Sequence, residues 1–126
     1  MNKRTVNTPN APAAIGPYSQ GVKVGNLIFT SGQIPLNPQS GELVTDIEGA
    51  TRQSLDNIRA ILVSAGTTMD KIIKTVVFLR DMNDFAAMNA IYATYFPSGP
   101  PARSAVEVAR LPKDAILEIE AIALAD

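Results

Sequence analysis

The sequence predicts an α+β protein in which a mixed β-sheet carries two helices packed on one face. Two stretches have apolar side chains at helical spacing, and short segments rich in β-branched residues flank them as strands do. The predicted order is β-β-α-β-α-β-β, with one further strand possible at the N-terminus. A chain of 126 residues with no internal linker fits a single domain spanning residues 1–126.

The first half of the chain predicts a β-hairpin followed by a helix. Residues 20–24 and 27–30 have strand composition, and the Gly-Asn pair between them is typical of a two-residue hairpin turn. Asp46 is placed to cap the first helix, and Gly66 is placed to end it. The positions that give this helix its apolar stripe are Ile47, Ala50, Ser54, Ile58, Ile61, Leu62 and Ala65.

The second half predicts three strands and the second helix. Residues 71–79 are dense in β-branched side chains and predict a buried strand. We expect Asn83 to cap the second helix and Pro97 to end it. Residues 104–109 and 115–124 predict the last two strands. The stripe of the second helix consists of Phe85, Met88, Tyr92, Tyr95 and Phe96.

Two helices can cover only one face of this sheet, and the last predicted strand indicates what the other face carries. Alternation along the strand places Glu118 and Glu120 together on one face. Ile116 and Ile122 share that face, whereas the opposite face is entirely aliphatic. A surface of aliphatic side chains with a few carboxylates is too apolar for open solvent. We therefore expect a homo-oligomer that buries this face and lines inter-subunit clefts with the carboxylates.

The composition excludes several classes of function. The chain has neither His nor Cys, which excludes a Ser-His-Asp triad, a thiolate nucleophile and the commonest metal ligands. A net charge of −1 gives no reason to expect nucleic acid or an anionic membrane as a partner. No apolar run is long enough to span a bilayer, and we expect a cytoplasmic protein.

Three charged residues are candidates for chemistry. Arg103 follows a proline-rich segment near a strand, and its guanidinium could pair bidentately with a substrate carboxylate. Position alone favours an ordinary solvated arginine. Glu118 and Glu120 lie about 7 Å apart on one face. They could act through a water molecule, or they could form structural ion pairs at an interface.

Four uncharged positions are weaker candidates. Tyr18 could line a pocket or simply pack. Ser31 and Gly32 follow a strand and could offer a hydroxyl and backbone N–H groups to a ligand, or form a bulge. Asn89 lies near the apolar stripe of the second helix, where a polar side chain requires a partner.

Several long motifs in order resemble the Rid (YjgF) family of reactive-intermediate deaminases, the RidA type in particular. They are APAAIGPYSQG at 11–21, TSGQIP at 30–35, RQSLDN at 52–57, KTVVFL at 74–79, PARSAVEVARLPKD at 101–114 and EIEAIA at 118–123. The resemblance implies a chorismate-mutase-like fold, assembled as a homotrimer with sites between subunits.

The resemblance also implies a reaction that needs no cofactor and no metal. The substrates would be small 2-imino acids, namely 2-aminoacrylate with its tautomer 2-iminopropanoate, and 2-iminobutanoate. Hydrolysis would give the 2-keto acid and ammonia. Many relatives carry Cys at the position of Ala105. The resemblance implies that the backbone groups of this residue help to orient the substrate and the water. By resemblance Arg103 binds the carboxylate and Glu118 positions the water, while Tyr18, Ser31, Gly32, Asn89 and Ala105 line the substrate pocket.

Two other functions compete with this hypothesis. Some relatives are labelled endoribonucleases or translation inhibitors, but the near-zero charge and the lack of His weigh against RNA cleavage. A non-catalytic module that binds small carboxylates, or a chaperone-like module, would use the same interface cleft without turnover. An assay of imine disappearance separates these alternatives.

Overall fold

The computed structural model describes residues 2–126, which form one six-stranded sheet and two α-helices. The elements are β1 Lys3–Val6, β2 Gly21–Val24, β3 Leu27–Thr30, α1 Ile47–Ser64, β4 Ile72–Leu79, α2 Phe85–Tyr95, β5 Ala102–Glu107 and β6 Leu117–Leu124. The strand order is β1-β2-β3-β6-β4-β5. Only β4 and β5 run parallel, so the predicted mixed sheet is confirmed and the further N-terminal strand is present.

Both predicted ends of α1 are confirmed. The Asp46 carboxylate accepts a hydrogen bond of 2.8 Å from the Gly49 N–H, which satisfies one of the free donors of the first turn. Gly66 takes a φ of +90°, and the Thr67 N–H reaches back to the Leu62 carbonyl at 3.0 Å. This geometry is a Schellman ending, for which glycine carries no steric penalty.

The prediction that Asn83 caps the second helix is wrong. The Asp81 carboxylate accepts the N–H of Asn83 instead and starts a short 3-10 turn, Met82–Asp84. Helix α2 begins only after that turn, at Phe85. Asp and Asn are both strong capping residues. Asp81, which precedes Asn83 in the sequence, is the residue that caps this turn.

The core lies between the helices and one face of the sheet. Every second residue of β6 is buried from Leu117 onward, as the alternation predicted. The opposite face keeps large apolar side chains exposed in the single chain, with Phe29 40% and Val106 41% accessible. The predicted uncovered apolar face is therefore present. Within residues 2–126 no helix has both the length and the apolar character that crossing a membrane would require.

The last two strands have different bounds from those predicted. Strand β6 starts at Leu117 rather than residue 115, and β5 covers residues 102–107 rather than 104–109. The reason is pairing, because β5 lies parallel to β4 and stops where β4 stops, with Leu79 opposite Glu107. Arg103 consequently lies inside β5, directly opposite Thr75 of β4.

Candidate functional site

A cleft of 610 Å³ contains four of the predicted site residues. Glu118 enters it from β6, Ser31 and Gly32 enter from the segment after β3, and Tyr18 forms part of its wall. The cleft is open to solvent in the single chain, with Tyr18 51% exposed. The sequence grouped these residues only through the family resemblance, and the fold places them around one cavity.

Glu118 is electrostatically unusual within this cleft. The side chain is half-buried, and burial raises the pKa of its carboxyl above the ordinary value of 4.5, with the neighbouring Glu120 charge adding to the effect. In the part of the chain that the structure describes, ion pairs join only Arg59 to Asp56 and Arg110 to Asp114. No cation among residues 2–126 therefore lies within ion-pair distance of Glu118. A carboxyl with a raised pKa is better suited to accept and release a proton than an ordinary glutamate.

Gly32 lies directly against the Glu118 side chain. A Cβ atom added at Gly32 would lie 2.8 Å from Glu118 Cδ and closer still to Oε2. The neighbouring Ser31 hydroxyl donates to the Ser19 carbonyl, and the Ser31 N–H donates to the Gln20 carbonyl at 2.8 Å. Ser31 thus holds the cleft wall together through its hydroxyl and N–H groups. Because Gly32 has no side chain, the Glu118 carboxylate can occupy the space beside it.

A buried glutamine fixes the N-terminal wall of the cleft. The Gln20 side-chain oxygen accepts the Thr8 N–H at 2.6 Å, and its Nε2 donates to the carbonyls of Thr8 and Pro12 at 3.0 and 2.8 Å. Gln20 is 2% exposed. These bonds hold residues 8–12 against the sheet, and the segment after them carries Tyr18 over the cleft.

Arg103 lies in a second, smaller cavity of 390 Å³. Its guanidinium carbon is 4.7 Å from the centre of the Tyr92 ring and 5.4 Å from that of Phe85. Its Nη1 donates to Asn89 Oδ1 at 2.7 Å. These three residues occupy one face of α2 at spacings of four and three residues. We call the set Phe85, Asn89 and Tyr92 the arginine cradle.

The cradle surrounds the Arg103 charge without neutralising it. Aromatic faces attract a cation through their quadrupoles, and the Asn89 oxygen accepts only one of the five guanidinium N–H groups. Among residues 2–126 no carboxylate lies within ion-pair distance of Arg103. The remaining donors are free to bind an anion from outside the chain.

The two groups of predicted residues do not meet within one chain. Arg103 and Ala105 lie on the helix-covered face of β5, opposite the buried Thr75 and Val77. Glu118 lies on the uncovered face of β6, and β4 separates the two strands. Two strand spacings amount to about 10 Å, so the sheet itself stands between Arg103 and Glu118.

Sequence reasoning missed three residues at these two cavities. The helical stripe predicts Phe85 and Tyr92 to be core residues, and both pack in the core; what the stripe does not show is that their rings also hold the Arg103 cation. Lys113 lines the larger cleft with a φ of 57°. The sequence of residues 110–114 predicts only a turn or short loop, because a left-handed lysine has no sequence signature. No cluster of three or more acidic side chains within residues 2–126 could hold a metal ion.

Comparison with known proteins identifies the family. The family model described as Endoribonuclease L-PSP matches residues 8–125. The chain belongs to this family. It is the Rid (YjgF) family predicted from the motifs, and that prediction is confirmed.

Rid-family relatives match the chain over nearly its full length. The 2-iminobutanoate/2-iminopropanoate deaminase of Escherichia coli K12 is 57% identical over 124 residues, covering 96% of this chain and 97% of the relative. The crystal structure of E. coli TdcF with bound serine has a TM-score of 0.93 at 52% identity, covering 96% and 98% of the two chains. The E. coli YjgF product has a TM-score of 0.92 at 56% identity with the same coverage.

Proposed function

We propose that this protein hydrolyses 2-iminobutanoate and 2-iminopropanoate to the corresponding 2-keto acids and ammonia. The observation that carries the proposal is a pair of opposite charges, Arg103 in its aromatic cradle and Glu118 in the open cleft, neither of which has an ion-pair partner among residues 2–126. Relatives that are 57% identical and named for this deaminase activity support it. The cytoplasmic location of this protein stays a prediction.

Arg103 would bind the substrate carboxylate. The cradle leaves most guanidinium donors unused, and a guanidinium matches the two oxygens of a carboxylate. The related TdcF was solved with bound serine, and serine carries the same α-carboxylate as a 2-imino acid. Holding that carboxylate would fix the neighbouring imine carbon in space, which is a large part of what an enzyme must supply for this reaction.

Glu118 would handle the protons of hydrolysis. Water adds to the carbon of the protonated imine and gives one proton to the Glu118 carboxylate, which leaves a neutral carbinolamine. The Glu118 carboxyl then returns that proton to the amine, the C–N bond breaks as the keto group forms, and the departing ammonia takes up the hydroxyl proton and leaves as ammonium. A raised pKa suits a group that must accept a proton and release it again within one cycle.

We further propose that the site forms between the subunits of a homotrimer, as the Rid resemblance implies. Arg103 and Glu118 lie on opposite faces of one sheet, so a site containing both needs two chains. The exposed Phe29 and Val106 give the uncovered face the apolar character of an assembly surface. Light scattering coupled to gel filtration should give three times the mass of one chain, and a monomer would contradict the proposal.

RNA cleavage is the weaker alternative, although the family description carries an endoribonuclease name. A net charge of −1 supplies no field for a polyanion. A carboxylate-binding module without turnover, or a chaperone-like one, would need Arg103 but would leave the raised pKa of Glu118 without a role.

The deciding experiment follows imine loss directly. 2-Iminobutanoate is generated from threonine by a PLP-dependent dehydratase, and its survival is measured by capture with semicarbazide. Wild-type protein should reduce capture, and Arg103→Ala should abolish the effect. Arg59→Ala is the matched control, because Arg59 also stacks on a tyrosine, 5.1 Å from the Tyr95 ring, but lies far from the cavities. Full activity in Arg103→Ala would overturn the proposal.

A further inference from the structure

Thr75, Tyr92 and Arg103 form a closed triangle on the helix-covered face of the sheet. Thr75 of β4 is the direct register partner of Arg103 on β5. The Thr75 hydroxyl and the Tyr92 hydroxyl are hydrogen-bonded at 2.7 Å. The Tyr92 ring in turn faces the Arg103 guanidinium at 4.7 Å. Each residue of the triangle therefore contacts or pairs with the other two.

The hydrogen-bonded hydroxyl pair of Thr75 and Tyr92 is buried. Thr75 is 0% exposed and Tyr92 is 5% exposed. Burial raises the pKa of the Tyr92 phenol, which keeps it protonated as a hydrogen-bonding group. A matched pair of apolar side chains would contribute about as much to stability as a hydrogen-bonded pair of this kind. The hydrogen bond adds direction, because it holds the outer end of the Tyr92 ring beside β4 and so fixes the axis along which the ring lies.

Ring direction matters to the cation beside it. The attraction between a guanidinium and an aromatic ring acts through the ring face and weakens when the ring tilts. The Phe96 ring is a second neighbour of Tyr92, with ring centroids 4.7 Å apart and an interplanar angle of 42°, so the Tyr92 ring has another contact toward which it could shift. The Thr75 hydroxyl is the group that holds the ring toward Arg103.

We propose that Thr75 and Tyr92 are positioning residues, which hold the Arg103 guanidinium in the direction that binds the substrate carboxylate. This inference rests on the proposed function, in which Arg103 is the carboxylate-binding group. Tyr92 also lines the cavity in which Arg103 lies, whereas Thr75 is fully buried. Both act through the orientation of Arg103, and their loss is expected to weaken carboxylate binding more than it slows the chemical step.

The test uses the double variant Thr75→Val/Tyr92→Phe, which removes both hydroxyls and leaves no buried partner unsatisfied. Its thermal stability should stay near that of the wild type. Its Kd for the product 2-oxobutanoate, measured by calorimetry, should rise roughly tenfold. The KM for 2-iminobutanoate should rise in parallel while kcat changes less. The NMR order parameter of the Arg103 Nε–H bond should fall.

The matched control is Tyr95→Phe. Tyr95 lies on the same helix, donates its hydroxyl to Asp56 at 2.8 Å and carries Arg59 over its ring. Removing the Tyr95 hydroxyl should leave the Kd for 2-oxobutanoate unchanged. Thr75→Ser keeps the hydroxyl while losing a methyl group, so it should retain the wild-type Kd even where stability is lower. If the double variant fails to fold, the Kd for 2-oxobutanoate is compared between Thr75→Ser and Thr75→Val. The positioning role predicts weaker binding only in Thr75→Val.

Two results would overturn the positioning role. One is wild-type affinity for 2-oxobutanoate in the folded double variant, and the other is equal loss of affinity in Thr75→Ser and Thr75→Val. The proposed function fails on a different result. Wild-type protein that binds 2-oxobutanoate without hydrolysing imines would contradict it, and weaker binding by the double variant would then still support the positioning of Arg103.

Discussion

Gly32 and Glu118 are packed so closely that no side chain larger than hydrogen fits at position 32 while the carboxylate keeps its place. The atom in conflict is the far end of a flexible side chain, since an added Cβ would meet Glu118 rather than backbone. A larger residue at 32 is therefore expected to move Glu118 and not to unfold the chain. The contact couples one loop glycine directly to the proposed proton carrier.

Gly32→Ala should reduce kcat for 2-iminobutanoate by roughly ten- to a hundredfold, because a displaced carboxylate no longer reaches the hydrolytic water. The melting temperature should change little. The control is the same substitution in a Glu118→Gln background, where it should have almost no further effect on the remaining rate. Additive losses in the double variant would show that Gly32 acts independently of Glu118.

The acid limb of the pH–rate profile should lie above the ordinary glutamate value of 4.5, because burial and the Glu120 charge raise the pKa of Glu118. In the proposed mechanism Glu118 acts as a base when ionised, so the rate should fall as the pH falls through that raised pKa. Removing the Glu120 charge lowers the pKa again. Glu120→Gln should thus move the acid limb of kcat/KM to lower pH, and an unmoved limb would assign it to another group.

The sequence predicted those features that depend on neighbours along the chain. The caps Asp46 and Gly66 and the alternation in β6 are local, and the structure confirms them. The bounds of β5 could not be predicted, because they depend on where β4 ends. The role of Tyr92 was missed because a helical stripe has the same spacing whether it packs against a strand or carries a cation.

Ser54 gives a prediction about stability alone. The side chain is fully buried on α1, and its hydroxyl has no hydrogen-bond partner among residues 2–126. An unsatisfied buried hydroxyl destabilises the folded state, and alanine is also the better helix former. Ser54→Ala should raise the free energy of unfolding by about 1 kcal/mol, measured by denaturant titration. A decrease would indicate that the hydroxyl has a partner, such as a buried water.

Subunit mixing tests the division of the site between chains. Arg103→Ala and Glu118→Gln should each be inactive alone. After co-refolding in equal amounts, about a quarter of the inter-subunit sites should combine an intact Arg103 from one chain with an intact Glu118 from another. Activity should therefore return in the mixture. A mixture as inactive as its components would place both residues of each site in the same chain.

With the proposed inter-subunit site, the placement of Arg103 and Glu118 on opposite faces of one sheet would make activity depend on protein concentration. In a dissociated chain, Arg103 and Glu118 would face away from each other on the two sides of the sheet. No movement of loops could bring them together. Turnover per chain should then fall steeply when the protein is diluted below the dissociation constant of the assembly. Its abundance in the cell would set not only how much enzyme is present but also what fraction of it is competent.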